Sequence, residues 1–346
     1  MNFASDNAWT AHPAVMEALN DANSGAVMGY GADEVTARAE AALREVLQAP
    51  DAVIRFVATG TAANALVCAQ LSPSFGRIYC HADAHIETSE CSAPEFFSGG
   101  AKLVTLQGED GKITPDTLAA AIRHGEGGGL NEGRNAMVSI TNATEWGTTY
   151  SAAEVAALAD LAHGAGLPLH MDGARFANAV AGQNCSAADM TRRAGVDALC
   201  FGGTKNGAMA AEAVVFFDPA HAEGFDYRRK QTGHVYSKQR FLAAQMLALA
   251  SDGLWLELGR AANAKAERLA EGIVSAGGAL LAPRQSNAVF ATIPAEAHQR
   301  ARAAGAIYHL WPDKSAEGLD PVPIRLVTAW DTPDADIEAV IRLIAG

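Results

Sequence analysis

One lysine stands among small residues directly after a short apolar run. The run Val196-Asp197-Ala198-Leu199-Cys200 has the pattern of a buried strand, and Phe201-Gly202-Gly203-Thr204-Lys205-Asn206-Gly207 follows it. The glycines allow tight turns, and we expect them to leave room for a flat group. A partly buried amine loses proton affinity and becomes a usable nucleophile. Lys205 is therefore a candidate for covalent chemistry, and the alternative is a surface lysine in a glycine loop.

A carboxylate follows the preceding strand in the same way. Asp172 comes at the end of the apolar run 168–171 and is followed by Gly173-Ala174-Arg175. This places Asp172 at the carboxyl edge of a parallel sheet, where ligands bind in open α/β folds. Lys205 follows the next predicted strand, so both groups are expected to meet at one edge. The alternative is that Asp172 only caps a helix.

Three further segments could bind anions. Thr59-Gly60-Thr61 opens a predicted helix, whose first N–H groups form either an anion site or a simple capping turn. The basic run 228–234 is either a solvated face or a phosphate clamp. Arg325 interrupts the apolar strand pattern 324–328, and its fork geometry suits a substrate carboxylate. A structural ion pair is the alternative for Arg325.

Two motifs that resemble known ligand sites are set aside. His81 and His85 stand four residues apart, but neither a third ligand nor an HExxH glutamate accompanies them, so we predict no metal. We instead expect the His85 imidazole to pack flat on an aromatic ligand. The glycine-rich run 124–135 lacks the GK[ST] ending of a phosphate loop, and we expect a flexible surface loop there.

The elements that would position these groups alternate between strands and helices, which predicts a doubly wound α/β domain. The strand over 213–217 follows Lys205 too closely for a helical crossover and is expected to pair antiparallel. The predicted strands of this domain cover 52–58, 77–80, 102–106, 137–141, 168–171, 198–201 and 213–217. The predicted helices cover 14–22, 33–49, 62–71, 114–123, 152–165 and 186–193.

Long helical periodicity begins after residue 230 and predicts a smaller C-terminal α/β domain. We place the large domain with an N-terminal arm at 1–255 and the small domain at 256–346. The predicted helices here cover 241–257, 261–276, 295–304 and 332–344, and the predicted strands cover 287–293, 307–311 and 323–328.

Composition excludes several classes of function. The 346 residues carry a formal net charge of −13 without a compensating basic tract, which argues against nucleic-acid or anionic-membrane partners. Five scattered cysteines without a CxxC pair favour a reducing cytoplasm. The N-terminus has no signal-peptide pattern and no apolar span of membrane length stands out, so a soluble cytoplasmic protein is expected.

Together these groups match the needs of pyridoxal phosphate chemistry: a lysine for a Schiff base, a carboxylate for a pyridinium, an anion site and an arginine for a substrate carboxylate. The chain also resembles the L-threonine aldolase family from residue 3 to about 340, and is most similar to the low-specificity enzymes. The resemblance rests on Ser5-Asp6, Tyr30-Gly31, Gly60-Thr61-Ala62-Ala63-Asn64, His85, Asp172-Gly173-Ala174-Arg175, Gly202-Gly203-Thr204-Lys205-Asn206-Gly207, Arg229-Lys230 and Arg325-Leu326-Val327-Thr328.

The resemblance implies the pyridoxal-phosphate fold type I, with a mostly parallel seven-stranded doubly wound sheet and a smaller C-terminal domain. It implies retro-aldol cleavage of L-threonine, L-allo-threonine and related β-hydroxy-α-amino acids to glycine and an aldehyde. In that comparison Lys205 would form the Schiff base, Asp172 would pair with the pyridine nitrogen, and His85 would stack on the ring. The phosphate would be held by Gly60, Thr61 and Arg229.

The substrate carboxylate would be bound by Ser5 and Arg325, with Arg175 near that carboxylate and the cofactor's phenolic oxygen. Tyr30 and Arg229 are implied to come from a neighbouring subunit, in a homo-oligomer built as a dimer of dimers. Thr144 stands where many relatives carry a histidine linked to the substrate hydroxyl, so threo or erythro preference stays open. The base for that hydroxyl is expected to be His85 or a water that it holds.

Rival functions also stay open at this point. Another fold type I reaction, such as transamination or β-elimination, uses the same core groups. A nicotinamide dehydrogenase is disfavoured because no glycine-rich dinucleotide fingerprint follows the first strand. A ligand-sensing relative without catalysis is disfavoured because no core residue of the cofactor site is missing.

Overall fold

The computed structural model describes residues 1–312 and 315–346, in which helices pack around two β-sheets. Its strands are β1 (Val53–Val57), β2 (Gly76–His81), β3 (Lys102–Leu106), β4 (Arg134–Thr141), β5 (Leu169–Gly173), β6 (Ala198–Gly202), β7 (Glu212–Phe216), β8 (Ala279–Leu280), β9 (Ala288–Ile293), β10 (His309–Leu310) and β11 (Val322–Val327). Its helices are α1 (Pro13–Ala22), α2 (Glu34–Val46), α3 (Gly60–Leu71), α4 (His85–Thr88), α5 (Ala93–Ser98), α6 (Pro115–Gly127), α7 (Ala152–Gly164), α8 (Phe176–Gln183), α9 (Ala187–Met190), α10 (Phe225–Gln231), α11 (Arg240–Ala250), α12 (Leu254–Ser275), α13 (Ala295–Ala303) and α14 (Asp334–Ala345).

The larger sheet has seven strands in the order β1-β7-β6-β5-β4-β2-β3. Strands β2 to β6 pair in parallel, and β7 runs antiparallel between β1 and β6. This confirms the mostly parallel seven-stranded sheet and the antiparallel strand after Lys205. In the pairing of β5 with β6, Asp172 lies opposite Cys200, so the two strands end side by side at one edge.

Both faces of this sheet are covered. Successive side chains of each strand point to opposite faces, so every strand contributes to two cores. Phe201 and Val215 belong to the core on one face, whereas their neighbours Cys200 and Val214 belong to the core on the other. Full burial of these strands explains their continuous apolar runs, and these runs allowed the strands to be predicted from the sequence.

The smaller sheet is antiparallel, in the order β10-β11-β9-β8, and packs with α12, α13 and α14 around its own core. The N-terminal arm reaches this sheet, since the Phe3 N–H donates to the Ile307 carbonyl and the Val327 N–H to the Phe3 carbonyl. Helix α12 contacts both α8 of the larger part and α14 of the smaller part. The division after residue 255 therefore remains a prediction.

Four local elements differ from the sequence prediction. Helix α8 was not predicted, because 176–180 are all buried and show no amphipathic period. The long helical region breaks at Ser251–Gly253, where Asp252 has φ 51°, rather than near residue 258. The loop expected over 124–135 is shorter, since α6 extends to Gly127 and β4 begins at Arg134. The strand expected over 307–311 is the short β10.

The helical stretch Arg240–Ser275 is long and apolar enough, by length and composition alone, to cross a membrane. The turn at Ser251–Gly253 divides it into α11 and α12. Helix α11 packs against α1 and α2, and α12 packs against α8, with buried side chains such as Met246 and Leu269. In the described structure both are core helices of the fold.

Candidate active site

Lys205 lies in a 3-10 turn, Thr204–Asn206, directly after β6. Glu212 at the start of β7 fixes this turn by accepting the Gly203 N–H through Oε2 at 3.0 Å. Burial raises the pKa of Glu212 to about 7. Burial also lowers the pKa of the Lys205 amine, and the positive charge of Arg175 lowers it further. Lys205 thus has the weakened proton affinity that a nucleophilic amine needs.

Gly202 and Gly203, which precede Lys205, are required for a reason that the sequence did not indicate. A Cβ on Gly202 would lie 2.5 Å from the Ala174 carbonyl oxygen, and one on Gly203 would lie 2.5 Å from that of Ala211. These glycines are needed because neighbouring backbone approaches closely. The expectation that they leave space for a flat ligand is wrong at these two positions.

A chain of hydrogen bonds links Asp172 to His85. The Asn64 amide donates through Nδ2 to Asp172 Oδ2 and to Glu90 Oε1, both at 2.8 Å. The second oxygen of Asp172 accepts the Ala174 N–H at 2.9 Å. Glu90 Oε1 lies 2.8 Å from His85 Nδ1, and its side chain is fully buried. Asp172 is thereby held rigidly at the end of β5, next to Lys205.

His85 begins α4 and keeps 39% of its side chain exposed. The hydrogen bond with Glu90 raises the pKa of His85 and outweighs the opposing effect of burial. The backbone N–H of His85 donates to Glu145 Oε1 at 2.7 Å. His81 is placed differently, because its ring nitrogens bond to the Gly108 carbonyl and the Asp83 N–H. The two histidines do not share a site.

Arg175 forms a bidentate ion pair with Asp6 of the N-terminal arm. Its Nε lies 2.7 Å from Oδ2 and its Nη2 lies 2.9 Å from Oδ1. Asn287 adds a hydrogen bond to Oδ2 at 2.9 Å. Burial opposes ionisation of Asp6, but the charges of Arg175 and Lys205, together with the hydrogen bonds from Arg175 and Asn287, outweigh it and lower the pKa of Asp6 to about 2. The arm is therefore a structural part of the site.

The predicted anion site is the N-terminus of the twelve-residue helix α3, which begins at Gly60. The Thr59 hydroxyl caps the helix by accepting the Ala62 N–H at 3.1 Å. The N–H groups of Gly60 and Thr61 have no acceptor in the described ranges. A Cβ on Gly60 would meet nothing within 4 Å, so the space before the helix is open. Both readings of this turn, cap and anion site, are compatible with the geometry.

Arg325 lies on β11, opposite His309 and Phe290. Its guanidinium carbon lies 5.9 Å and 6.0 Å from the ring centres of Phe290 and Trp311. No carboxylate within residues 1–312 and 315–346 lies within 4.0 Å, and Nε is buried without a partner there. Burial, together with the charge of Arg175, lowers the pKa of Arg325 to about 10. The described residues therefore do not supply a carboxylate for the structural ion pair that was the alternative role of Arg325.

Ser5 and Thr144 are less free than the sequence suggested. The Ser5 hydroxyl accepts the Asn7 N–H at 3.1 Å and caps the 3-10 turn that carries Asp6. Thr144 is buried, and its hydroxyl bonds to the Thr148 hydroxyl at 2.7 Å and to the Asp110 carbonyl at 3.2 Å. The Thr144 hydroxyl holds a turn here, and its contact with the substrate stays a prediction. The next residue, Glu145, is the one that contacts His85.

Tyr30 and Arg229 lie together in a cavity of their own. They line a cavity of about 630 Å³ with Asp226 and Lys230, and Lys205 is not among its lining residues. Arg229 is buried on α10, lies 3.5 Å from Asp226, and has an Nε without a partner among the described residues. The Lys230 amine lies 4.8 Å from the centre of the Tyr30 ring. Gly60 and Thr61 are not among the lining residues of this cavity either.

Sequence reasoning missed four polar residues of the site: Asp6, Asn64, Glu90 and Glu145. The first two stand inside motifs that were recognised, beside Ser5 and Ala63, but no role was assigned to them. Glu90 and Glu145 stand in loops, where sequence alone does not indicate which acidic residues turn inward. A buried position for either could not be predicted from periodicity.

The chain is similar to known proteins in sequence and in fold. Residues 2–296 match the family model described as beta-eliminating lyase. A low specificity L-threonine aldolase of Pseudomonas aeruginosa is 40% identical over 352 residues, which cover 99% of this chain and 98% of that protein. A solved threonine aldolase of Leishmania major has a TM-score of 0.92 at 27% identity, covering 99% of this chain and 98% of its own.

A serine palmitoyltransferase of Sphingomonas wittichii shares the fold more distantly, with a TM-score of 0.70 at 17% identity. The match covers 100% of this chain and 86% of that chain. At this identity the likeness concerns the fold alone. It extends over both sheets, so the predicted fold class, a doubly wound sheet with a smaller C-terminal α/β part, is confirmed.

Proposed function

The chain belongs to the threonine aldolases of the beta-eliminating lyase family, and on this premise we propose how its residues carry out that reaction. It is a carbon–carbon lyase of the low-specificity type, which cleaves L-threonine, L-allo-threonine and related β-hydroxy-α-amino acids to glycine and an aldehyde. One observation carries the assignment of the site: Lys205, with weakened proton affinity, lies beside the rigidly held carboxylate Asp172.

The described residues fit pyridoxal phosphate. Gly60 and Thr61 offer two free N–H groups and open space at a helix N-terminus, which suits a phosphate. Asp172 has one oxygen on Asn64 and the other on a backbone N–H, so its carboxylate is oriented for a pyridine nitrogen. When bound, this cofactor supplies a conjugated ring that accepts the electron pair released at the substrate's α-carbon.

The chain's own groups then have separate tasks. Lys205 provides the amine for covalent attachment and moves protons at the α-carbon. Asp172 keeps the pyridine nitrogen protonated, and His85 covers the ring with its half-exposed imidazole. Arg325 binds the substrate carboxylate, because it is buried among aromatic rings without a carboxylate partner among the described residues.

Arg175 lies near enough to Lys205 to shift its proton affinity, and Asp6 holds its guanidinium in place. We assign Arg175 to the edge of the site that receives the cofactor's phenolic oxygen and the substrate carboxylate. Ser5 supports this edge through the turn that carries Asp6.

Arg229 and Tyr30 are proposed to complete the site of a neighbouring chain in a homo-oligomer, with a dimer of dimers as the expected assembly. Two observations support this: Lys205 does not line the cavity that both residues share, and Tyr30 is 59% exposed. A cytoplasmic enzyme acting on a free amino acid agrees with five cysteines that are all unpaired.

The decisive experiment measures product and spectrum together. Purified protein with pyridoxal phosphate should show a visible absorption band of the lysine-bound cofactor and should release glycine and acetaldehyde from L-threonine. Lys205→Ala should lose both properties, whereas Lys102→Ala, an exposed lysine on β3, should keep both. From L-threonine, 2-oxobutyrate as the product would support the rival elimination and 3-hydroxy-2-oxobutanoate the rival transamination, and a yellow, active Lys205→Ala protein would refute the assignment.

A further inference from the structure

Glu145 follows β4 in a loop and lies against the start of α4. Its Oε1 accepts a hydrogen bond from the backbone N–H of His85 at 2.7 Å. Its Oε2 is buried and has no hydrogen-bond partner among the described residues. A buried carboxylate oxygen without a partner is costly, so a site that retains one is expected to supply a partner in another state, such as a bound ligand.

The charged groups around Glu145 place it inside the active site. Asp172 and His85 act electrostatically on Glu145, and Glu145 in turn acts on Arg175 and Arg325. The titratable groups facing Glu145 from the elements packed against it are Cys80, His85, Tyr150, Asp172, Arg175 and Arg325.

Three carboxyl groups surround this part of the site, and they differ in how well their charged forms are stabilised. Asp172 accepts hydrogen bonds from Asn64 and a backbone N–H, and Glu90 accepts them from His85 and Asn64. Among the described residues, the Glu145 side chain accepts a single hydrogen bond, from the His85 backbone N–H. Burial, with the nearby charge of Asp172, raises the pKa of Glu145 to about 7.

Resting on the proposed function, we propose that Glu145 is the residue that exchanges a proton with the β-hydroxyl oxygen of the substrate. A substrate with its carboxylate on Arg325 and its α-carbon near Lys205 has its β-carbon in the region flanked by His85 and Glu145. His85 donates its backbone N–H to one oxygen of the carboxyl and so positions it. The other oxygen is the one that lacks a partner.

The proposed step is balanced without a further reactant. The hydroxyl proton passes to the Glu145 carboxylate, the β-carbon–oxygen bond becomes a carbonyl, and the electron pair of the Cα–Cβ bond stays with the α-carbon. The aldehyde leaves, the α-carbon takes up one proton from the site, and Glu145 returns one proton to solvent. A group that titrates near neutral pH can perform this exchange in both directions.

Glu145→Gln tests the proposal because glutamine keeps the shape and the acceptor for the His85 N–H. We expect the kcat for L-threonine cleavage by the holoenzyme to fall at least about 100-fold, the usual scale for a lost acid–base group. Exchange of the glycine α-proton with deuterated solvent needs no β-hydroxyl, so it should change by less than about threefold. Glu87→Gln, an exposed glutamate on α4, is the matched control.

A second readout does not depend on turnover. Infrared titration of the substrate-free holoenzyme should show two carboxyl groups that ionise near pH 7, those of Glu145 and Glu212, and Glu145→Gln should lose one of the two. In the wild type, cleavage should rise with pH through that range because the charged carboxylate is the base, and the variant should lose this dependence.

Two results would overturn the inference: cleavage within about threefold of wild type in Glu145→Gln, or equal losses of cleavage and glycine exchange. Equal losses would indicate a role in cofactor placement. Absence of cleavage in the wild type would instead contradict the proposed function. In that case the infrared titration still decides whether Glu145 ionises near pH 7, and absence of that ionisation would also overturn the inference.

Discussion

The guanidinium of Arg175 is held by the carboxylate of Asp6 through two hydrogen bonds of 2.7 and 2.9 Å, although 169 residues separate them. This pair joins the N-terminal arm to the edge of the sheet that carries Asp172 and Lys205. It also explains why the arm, which looks peripheral in the sequence, is part of the site.

Asp6→Ala should destabilise the protein strongly, because it leaves Arg175 buried without its anion. We expect the free energy of unfolding to fall by about 3–5 kcal/mol, the usual cost of breaking one side of a buried pair. Glu338→Gln is the control, because Glu338 and its partners Arg268 and Arg342 are all exposed, and it should cost less than about 1 kcal/mol. Urea unfolding measures both variants.

The same pair predicts a pH dependence. The pKa of Asp6 is lowered from 3.8 to about 2, so its stabilising effect is present above pH 3.8 and is lost as pH falls toward 2. In Asp6→Ala that part of the acid transition should be absent. An unchanged acid transition would contradict the ion pair as a source of stability.

Glu90→Gln should lower the pKa of His85, because the hydrogen bond with Glu90 is the largest influence that raises it. The shift can be followed by NMR titration of the imidazole. His298 on α13, whose Nδ1 lies 2.9 Å from the Tyr308 hydroxyl and whose pKa is lowered by burial, serves as an internal reference whose titration should not move. A His85 titration that is equal in both proteins would show that Glu90 does not control the imidazole.

Arg325→Met should weaken substrate binding while cofactor content stays constant. Loss of a charged hydrogen bond of about 1.5–3 kcal/mol corresponds to a KM roughly 10- to 100-fold higher for L-threonine. Arg284→Met is the control, because Arg284 pairs with the exposed Glu267. If unfolding stability drops and KM stays the same, Arg325 has a structural role only.

Mixing two inactive variants tests whether Arg229 serves a neighbouring chain. If it does, oligomers formed from Arg229→Ala and Lys205→Ala chains contain some sites with both residues intact. Random pairing in a twofold assembly should restore about a quarter of wild-type activity. No recovery, when native mass spectrometry shows mixed oligomers, would place Arg229 and Lys205 in sites of the same chain.

The sequence by itself determined the sheet and the meeting of Asp172 with Lys205. Both follow buried strands, and parallel strands present their carboxyl ends at one edge, so strand order and apolar pattern were sufficient. The start of α3 at Gly60 was equally local, since it depends on a turn and a cap.

Only the tertiary structure decided which polar side chains complete the site. Asp6 reaches Arg175 because the arm crosses to the smaller sheet, and Glu90 reaches His85 and Asn64 because its loop folds inward. Thr144 and Glu145 are neighbours in sequence, yet the first holds a turn and the second contacts His85. Loop side chains are oriented by packing against distant elements, and no local periodicity in the sequence records that packing.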